Sequence, residues 1–248
     1  MTLLKKFKTK KNFIFCIIPA RKNSKGLRDK HLRKVNGKYL IDYTFDVVKK
    51  VKEINLTIFC SNDCKLIKLA KKNNIYTPFK RPHKISLDHS SSSEYVFYSL
   101  YWFVRKYKFL PNYILILQPT NILRNALDVK RSIKKVRSNI KIDSLVSVTT
   151  PYQCPSESVF LNKNGLINEV KIPILNKKLG ISNRQSKAKT FFIDGSIYLF
   201  SINFFLKNNK FFTRNSYPFL LKKIQGFDIN DVDDLNLVNL ILKYYKKK

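Results

Sequence analysis

The chemistry-bearing residues of this chain crowd into one run, IIPARKNSKGLRDKHL, from Ile17 to Leu32. A short apolar stretch, Phe13 to Ile18, ends in Pro19 and Ala20. Arg21, Lys25, Gly26, Arg28 and Lys30 follow at once. A strand that empties into a loop with one glycine and several cations is a place to hold a polyphosphate. The strand fixes the loop, Gly26 lets backbone come close, and the cations neutralise the anion. The spacing is neither the P-loop pattern G-x-x-x-x-G-K-[ST] nor the dinucleotide pattern G-x-G-x-x-G. A plain solvated basic loop is the competing reading. Further on, Gln118 and Arg124 flank the loop after the third apolar run, where an open α/β sheet binds its ligands. Gln118 suits a ligand contact. Arg124 suits one equally with an ion pair or a helix cap.

The elements that must position these residues are legible as alternating patterns. Strand candidates are Phe13 to Ile18, Leu56 to Cys60, Tyr113 to Leu117, Leu145 to Thr149 and Ile197 to Phe200. The first four lack strict alternation and are rich in Ile, Leu, Val and Phe, as central strands covered on both faces are. Helical patterns sit between them at Tyr39 to Val51, Asp63 to Asn73, Ser93 to Tyr107 and Ala126 to Val136. A last helix runs from about Val232 to Tyr244, with Leu235, Val238, Ile241 and Leu242 on one face and Asp231 as its N-cap. The Ser90 to Ser93 tract precedes an apolar helix and reads as an N-cap. Such alternation predicts an α/β, doubly wound, mostly parallel Rossmann-like sheet with right-handed crossovers. Residues 151–190, with Pro151, Pro155 and Pro173, break the alternation.

A length of 248 residues suits a single domain spanning 1–248, and 44% apolar content suits a packed core. The formal net charge of +33 is unusual. Such a field attracts nucleic acid, anionic membranes and acidic small molecules. The excess is mostly Lys in the company of many Asn, Ile, Phe and Tyr, the composition that A/T-biased coding drift produces. No specific nucleic-acid partner is therefore expected. Cys60 and Cys64 have C-x-x-x-C spacing with no second pair, which argues against zinc. Cys16 and Cys60 fall in apolar runs and read as buried hydrophobes in a reducing cytoplasm. The basic N-terminus followed by Phe13 to Ala20 imitates a signal peptide. The apolar run is only strand-length and lacks a small-x-small cleavage site. No run is long enough for membrane insertion.

The wording of the first run, Ile18-Pro19-Ala20-Arg21 with Ser24-Lys25-Gly26-Leu27 and Lys30, resembles the opening motif of the CMP-sugar synthetases of the acylneuraminate cytidylyltransferase type. The resemblance continues in order. Cys60 to Asp63 is similar to a strand-end S-T-D. Lys80-Arg81-Pro82 with Leu87-Asp88 through Ser92 matches an R-P…D…S stretch, and Leu117 to Thr120 with Leu123-Arg124 matches L-Q-P-T-S-P-L-R. Asp143 to Ser147 fits a D-S-V-V-S strand, Asp194 to Tyr198 resembles N-G-A-I-Y, and Gly226 to Asn230 resembles the terminal D-I-D.

The resemblance implies the nucleotide-diphospho-sugar transferase fold. It implies a reaction of CTP with a nonulosonic acid, in which a sugar hydroxyl attacks the α-phosphorus and pyrophosphate leaves. It places Arg21 and Lys25 on the triphosphate as catalytic cations, with Ser24, Gly26 and Lys30 lending further contacts. Arg81, Ser92 and His31, where the family carries Asn, would read the base. Gln118, Arg184, Gln185 and Asp194 would face the sugar, Arg184 by a bidentate grip on its carboxylate. Mg²⁺ (or Mn²⁺) would sit on Asp228 and Asn230, whose i, i+2 spacing aims both at one cation. The family has a second aspartate where Asn230 stands, and Asp231 could substitute for it or cap the last helix. An arm over 151–190 would pack on a second subunit in a homodimer and complete its sugar pocket. Asn230, Phe192 and Asp194 depart from the pattern. They point to a nonulosonate other than N-acetylneuraminate, such as legionaminate or pseudaminate, or to a degenerate nucleotide-binding member. The S-K-G-L wording points away from 3-deoxy-octulosonate.

Overall fold

The computed structural model describes residues 3–22, 26–139, 141–153, 155, 158–161, 163, 167–169 and 189–246. A six-stranded sheet forms its centre in the order β10-β6-β9-β5-β1-β4: β1 (Thr9–Ala20), β4 (Leu56–Ser61), β5 (Leu110–Leu117), β6 (Ser144–Thr149), β9 (Phe192–Ser201) and β10 (Tyr217–Leu220). β1 pairs in parallel with β4 and β5, and β10 with β6. β9 runs antiparallel to both its neighbours, β5 and β6, so one strand is reversed in an otherwise parallel sheet.

Alternate residues of each central strand feed two cores, which is why these strands read as unbroken apolar runs. Cys16, Ile18, Leu115, Leu117 and Leu199 face α1 (Leu40–Lys49), α2 (Cys64–Lys72) and α4 (Ala126–Ser138). Phe15, Ile17, Ile116 and Phe200 face α3 (Ser92–Tyr107) and α5 (Ile202–Asn208). The terminal helix α6 (Val232–Lys246) packs Val238 onto a third cluster with Leu27, Leu40, Ile122 and Ile229. That cluster ties the basic loop after β1 to the segment carrying Asp228.

Helix starts follow their caps. Asp63 accepts from the Lys65 N–H, Ser91 from the Ser93 N–H and Ser201 from the Phe204 N–H. Asp231 accepts from the Asp234 N–H at 2.9 Å, and Asp234 accepts in return from the Asn230 N–H at 2.7 Å. A short hairpin, β2 (Lys34–Val35) and β3 (Lys38–Tyr39), turns at Asn36 and Gly37, with φ of 51° and 80°. Within 151–190 the described residues include a separate antiparallel pair, β7 (Val159–Leu161) and β8 (Ile167–Glu169). Cys16 and Cys60 are buried in the two cores, and burial pushes their thiols up to about 12 and about 11. Among the described residues no helix is long and apolar enough to cross a membrane.

Candidate active site

The chain crosses from one side of β1 to the other between β4 and β5. Doubly wound sheets leave a crevice at such a switch point, outside the carboxyl ends of the strands. A cavity of about 550 Å³ lies there. Pro19, Ala20 and Arg21 line it from the end of β1, and Gln118, Pro119 and Thr120 from the end of β5. Arg81, Asp88 and Ser92 enter from the connection into α3, and Asp228 and Asn230 from the segment before α6.

Gly26 is required by contact. A Cβ at that position would lie 2.4 Å from the Asn230 carbonyl oxygen, closer than real atoms approach. The basic loop and the Asp228 segment therefore meet backbone to backbone. Lys30 and His31 are both buried at this junction. Burial lowers the Lys30 pKa, opposed by the nearby carboxylates of Asp228 and Asp234. The Lys30 ammonium donates to Asn230 Oδ1 at 3.4 Å. His31 is pushed down to about 4 by burial and then by the Lys30 charge, so its ring is neutral near pH 7. Its Nδ1 has no hydrogen-bond partner among the described residues.

Arg21 pairs with Asp88 across the cavity. Arg81 is only 6% exposed, donates to the Ile85 carbonyl and lies 4.9 Å over the Tyr95 ring. Its guanidinium is thus rigidly placed on the wall. Burial raises the Asp228 pKa, opposed by bonds from the Thr120 and Asn230 side chains and by the Lys30 charge. Asp228 Oδ1 is buried with no hydrogen-bond partner among the described residues. A hard cation bound mainly through substrate phosphates needs one such carboxylate oxygen from the protein, so the donor set fits Mg²⁺ at Asp228. Asn230 spends its amide between Lys30 and Asp228, and Asp231 caps α6. Among the described residues, no group of three acidic, His or Cys side chains could hold an ion unaided.

Two expectations change. Arg124 neither reaches ligand nor pairs with a carboxylate through a hydrogen bond. It is buried and donates to the carbonyls of Gln118 at 3.1 Å and Ser196 at 2.7 Å and to the Thr44 hydroxyl at 2.8 Å. It clips the end of β5 to β9. Asp194, expected to face the sugar, turns into the protein instead. Its Oδ1 accepts from the Ser196 N–H at 2.7 Å and from the Ser147 hydroxyl, and its carbonyl accepts from Asn121 at 2.9 Å. It fixes β9 at Gly195, where the register with β6 shifts and whose φ of 76° a side chain rarely adopts. A Cβ on Gly195 would lie 3.2 Å from Gln118 Oε1. Of the other sequence-derived positions, Ser24, Lys25, Arg184 and Gln185 lie outside the described residues, as does Cys154.

A second cavity, about 690 Å³, adjoins the first and shares Gln118 and Ser92 with it. Tyr198, Phe211 and Phe212 give it aromatic walls, and Lys210 and Arg214 give it cations. Sequence reading missed this loop because its partner strand is distant in the chain. The signal available was the pair of aromatic residues beside Arg214 in a stretch with no helical or strand period.

A crevice at a switch point, lined by Arg21, Lys30 and Arg81 and by the Asp228 carboxylate, suits a nucleotide polyphosphate on a doubly wound α/β protein. Comparison with known proteins makes the class specific. Residues 15–151 match the family model described as cytidylyltransferase, and the chain belongs to that family. It is 24% identical over 230 residues to the post-translational flagellin modification protein B of Campylobacter coli, covering 93% of this chain and 95% of that one. It is 27% identical over 221 residues to the N-acylneuraminate cytidylyltransferase of Streptococcus agalactiae serotype V. That match covers 88% of this chain but spans only about half, 51%, of the relative's length. Among solved structures, the fold matches a CMP:2-keto-3-deoxy-manno-octonic acid synthetase complexed with CTP. The TM-score is 0.69 at 14% identity, covering 94% of this chain and 99% of that one. The chain has the nucleotide-diphospho-sugar transferase fold, of mixed α/β type with a mostly parallel sheet.

Proposed function

We propose that this chain joins CTP to a nonulosonic acid of the sialic type, releasing pyrophosphate, in surface-glycan synthesis in the cytoplasm. The observation that carries the reading is the pair of cavities that meet at Gln118 and Ser92. CTP fills the first, with its base toward Arg81, Ser92 and neutral His31 and its phosphates toward Arg21, Gly26 and Lys30. The sugar acid fills the second, its ring against Tyr198, Phe211 and Phe212 and its carboxylate toward Lys210 and Arg214, with Arg184 as a further candidate. A sugar hydroxyl held by Gln118 attacks the α-phosphorus in line, its proton passing to solvent. The bond to the bridging oxygen breaks, and the leaving charge falls among the cations. Asp228, with Asn230 beside it, would hold Mg²⁺ or Mn²⁺, which supplies charge neutralisation on the phosphates.

We also propose a homodimer. Ile193 pairs in register with Val148, and Val148 with Leu220, so the three side chains share one sheet face. Ile193 is 41% and Leu220 59% exposed there, flanking the buried Val148, with Phe191 exposed next to β9 and Phe192 exposed on the other face. An apolar patch of this kind at a sheet edge calls for a cover.

Pyrophosphate release from CTP and Mg²⁺ tests the function against N-acetylneuraminate, legionaminate, pseudaminate and 3-deoxy-octulosonate, with a no-sugar control. Release with one sugar names the substrate. Silence across the panel in a folded protein that binds CTP supports the non-catalytic reading, which Asn230 in place of a second carboxylate favours. Light scattering at a monomer mass would refute the dimer.

A further inference from the structure

The end of the molecule opposite the cavities carries cations almost alone. The described carboxylates gather at the active-site end: Asp88, Asp228 and Asn230's neighbours Asp231, Asp233 and Asp234 are examples. At the opposite rim, where the strands of the parallel set begin, Glu53 and Asp143 are the described acids, with Asp46 a turn in from the end of α1 and paired with Lys38. Against them stand the five exposed lysines of residues 5–11, with Arg105, Lys106, Lys108 and Arg137.

These cations are held on one face rather than strung on a tail. Leu4 is fully buried against α3, and a short 3-10 turn, Leu4–Lys6, follows from that anchor. Thr9 and Lys10 then pair with Leu110 and Pro111 of β5, and the Leu110 N–H donates to the Lys8 carbonyl. The register shifts before Ile14, where Asn12 adopts a φ of 59°, and residues 9–12 are all exposed. Arg137 at the end of α4 donates to the Asn12 carbonyl at 2.8 Å. Cations in the last turns of α3 and α4 answer the helix dipoles. Among the described residues, the lysines of residues 5–11 lie at the C-terminus of no α-helix, and drift alone would sprinkle acids here as it does at the other end.

We propose that this face docks on an anionic lipid surface, holding the enzyme at the membrane with its active site turned to solvent. A flat anionic partner suits the face better than a nucleic acid does. The helices α3 and α4 meet the rim by their ends, so neither offers a flank to a groove. The rings at the rim are engaged with one another. Phe13 and Phe109 meet edge to face at 5.2 Å with Lys10 over both, and Trp102 and Tyr107 meet at 6.0 Å with Lys106 over both. None presents a bare platform for stacking bases.

The test is co-sedimentation of the intact chain with vesicles of phosphatidylcholine alone or mixed equally with phosphatidylglycerol. Sedimentation with the mixed vesicles only, fading as salt rises, is expected. Each lysine near an anionic surface is worth about fivefold in partitioning. Replacing Lys5, Lys6, Lys8 and Lys11 together by Gln should therefore weaken it by roughly 600-fold. Lys10 is left in place because it packs on the rings. CTP binding and thermal stability of this variant should stay at the parent values. No sedimentation with mixed vesicles overturns the proposal, and so does sedimentation that the variant retains. Tighter binding to duplex DNA than to vesicles at equal phosphate concentration also overturns it, and assigns the face to nucleic acid.

Discussion

Gly26→Ala tests whether the site depends on backbone contact between the basic loop and the Asp228 segment. The new Cβ would lie 2.4 Å from the Asn230 carbonyl oxygen and 3.4 Å from its carbon. Ordinary contact begins at about 3.4 Å, so one segment must retreat by roughly 1 Å, because backbone atoms cannot rotate aside as a side chain can. The segment that moves holds either Lys30 or Asp228, the groups proposed to hold the phosphates and their metal. A displacement of about 1 Å in a positioned site costs on the order of 10²-fold in rate. Overpacking should lower stability by about 1–3 kcal/mol. For a chain of this size that is a fall of roughly 2–12 °C in Tm. Gly37→Ala is the control, since a Cβ there meets nothing within 4 Å and the only cost is its φ of 80°. It should lose about 1–2 kcal/mol and no activity. The assay is pyrophosphate release at saturating substrates, with CTP affinity measured by calorimetry and stability by thermal unfolding. If Gly26→Ala turned over within threefold of the parent while Gly37→Ala behaved as stated, the close approach would have no part in positioning the site.

His31 binds no proton in the folded state until about pH 4, whereas in the unfolded chain it protonates near 6.5. Between those values the unfolded state holds more protons, so stability falls as pH drops, by at most about 3 kcal/mol over the window. Denaturant titrations at pH 7 and pH 5 should show about 2 kcal/mol of this loss, and His31→Asn should flatten it; equal slopes in the two proteins would exclude His31 as the cause. Asn230→Asp adds a carboxylate beside Asp228 and should lower the Mg²⁺ concentration for half-maximal rate, with tighter Mg²⁺ binding in calorimetry; an unchanged metal titration removes position 230 from the metal's surroundings. Gly195→Ala strains a φ of 76° and presses on Gln118 Oε1. It should raise KM for the sugar acid several-fold with less effect on CTP, and equal changes in both would refute a role in placing Gln118 for the sugar.

The sequence alone determined the central strands and most helices, because each burial pattern there is local. Strands covered on both faces need unbroken apolar runs, and Asp63, Ser91 and Asp231 mark helix starts through bonds to N–H groups two or three residues away. The turn at Asn36-Gly37 was equally readable, as the dipeptide that permits φ > 0 twice, but two-residue strands give no run to flag it. Other features depended on partners far apart in the chain. The reversed direction of β9 follows from its pairing with β5 and β6, which no property of its own residues announces. Arg124 became a clip rather than a ligand because carbonyls 6 and 72 residues away converge on it. Asp194 turned inward for the same reason, toward Ser147. The loop bearing Phe211 and Phe212 reaches Gln118 only once the sheet has brought β5 and β9 side by side. A residue's type limits the bonds it can make, and the tertiary structure chooses among them by deciding what stands within 3 Å.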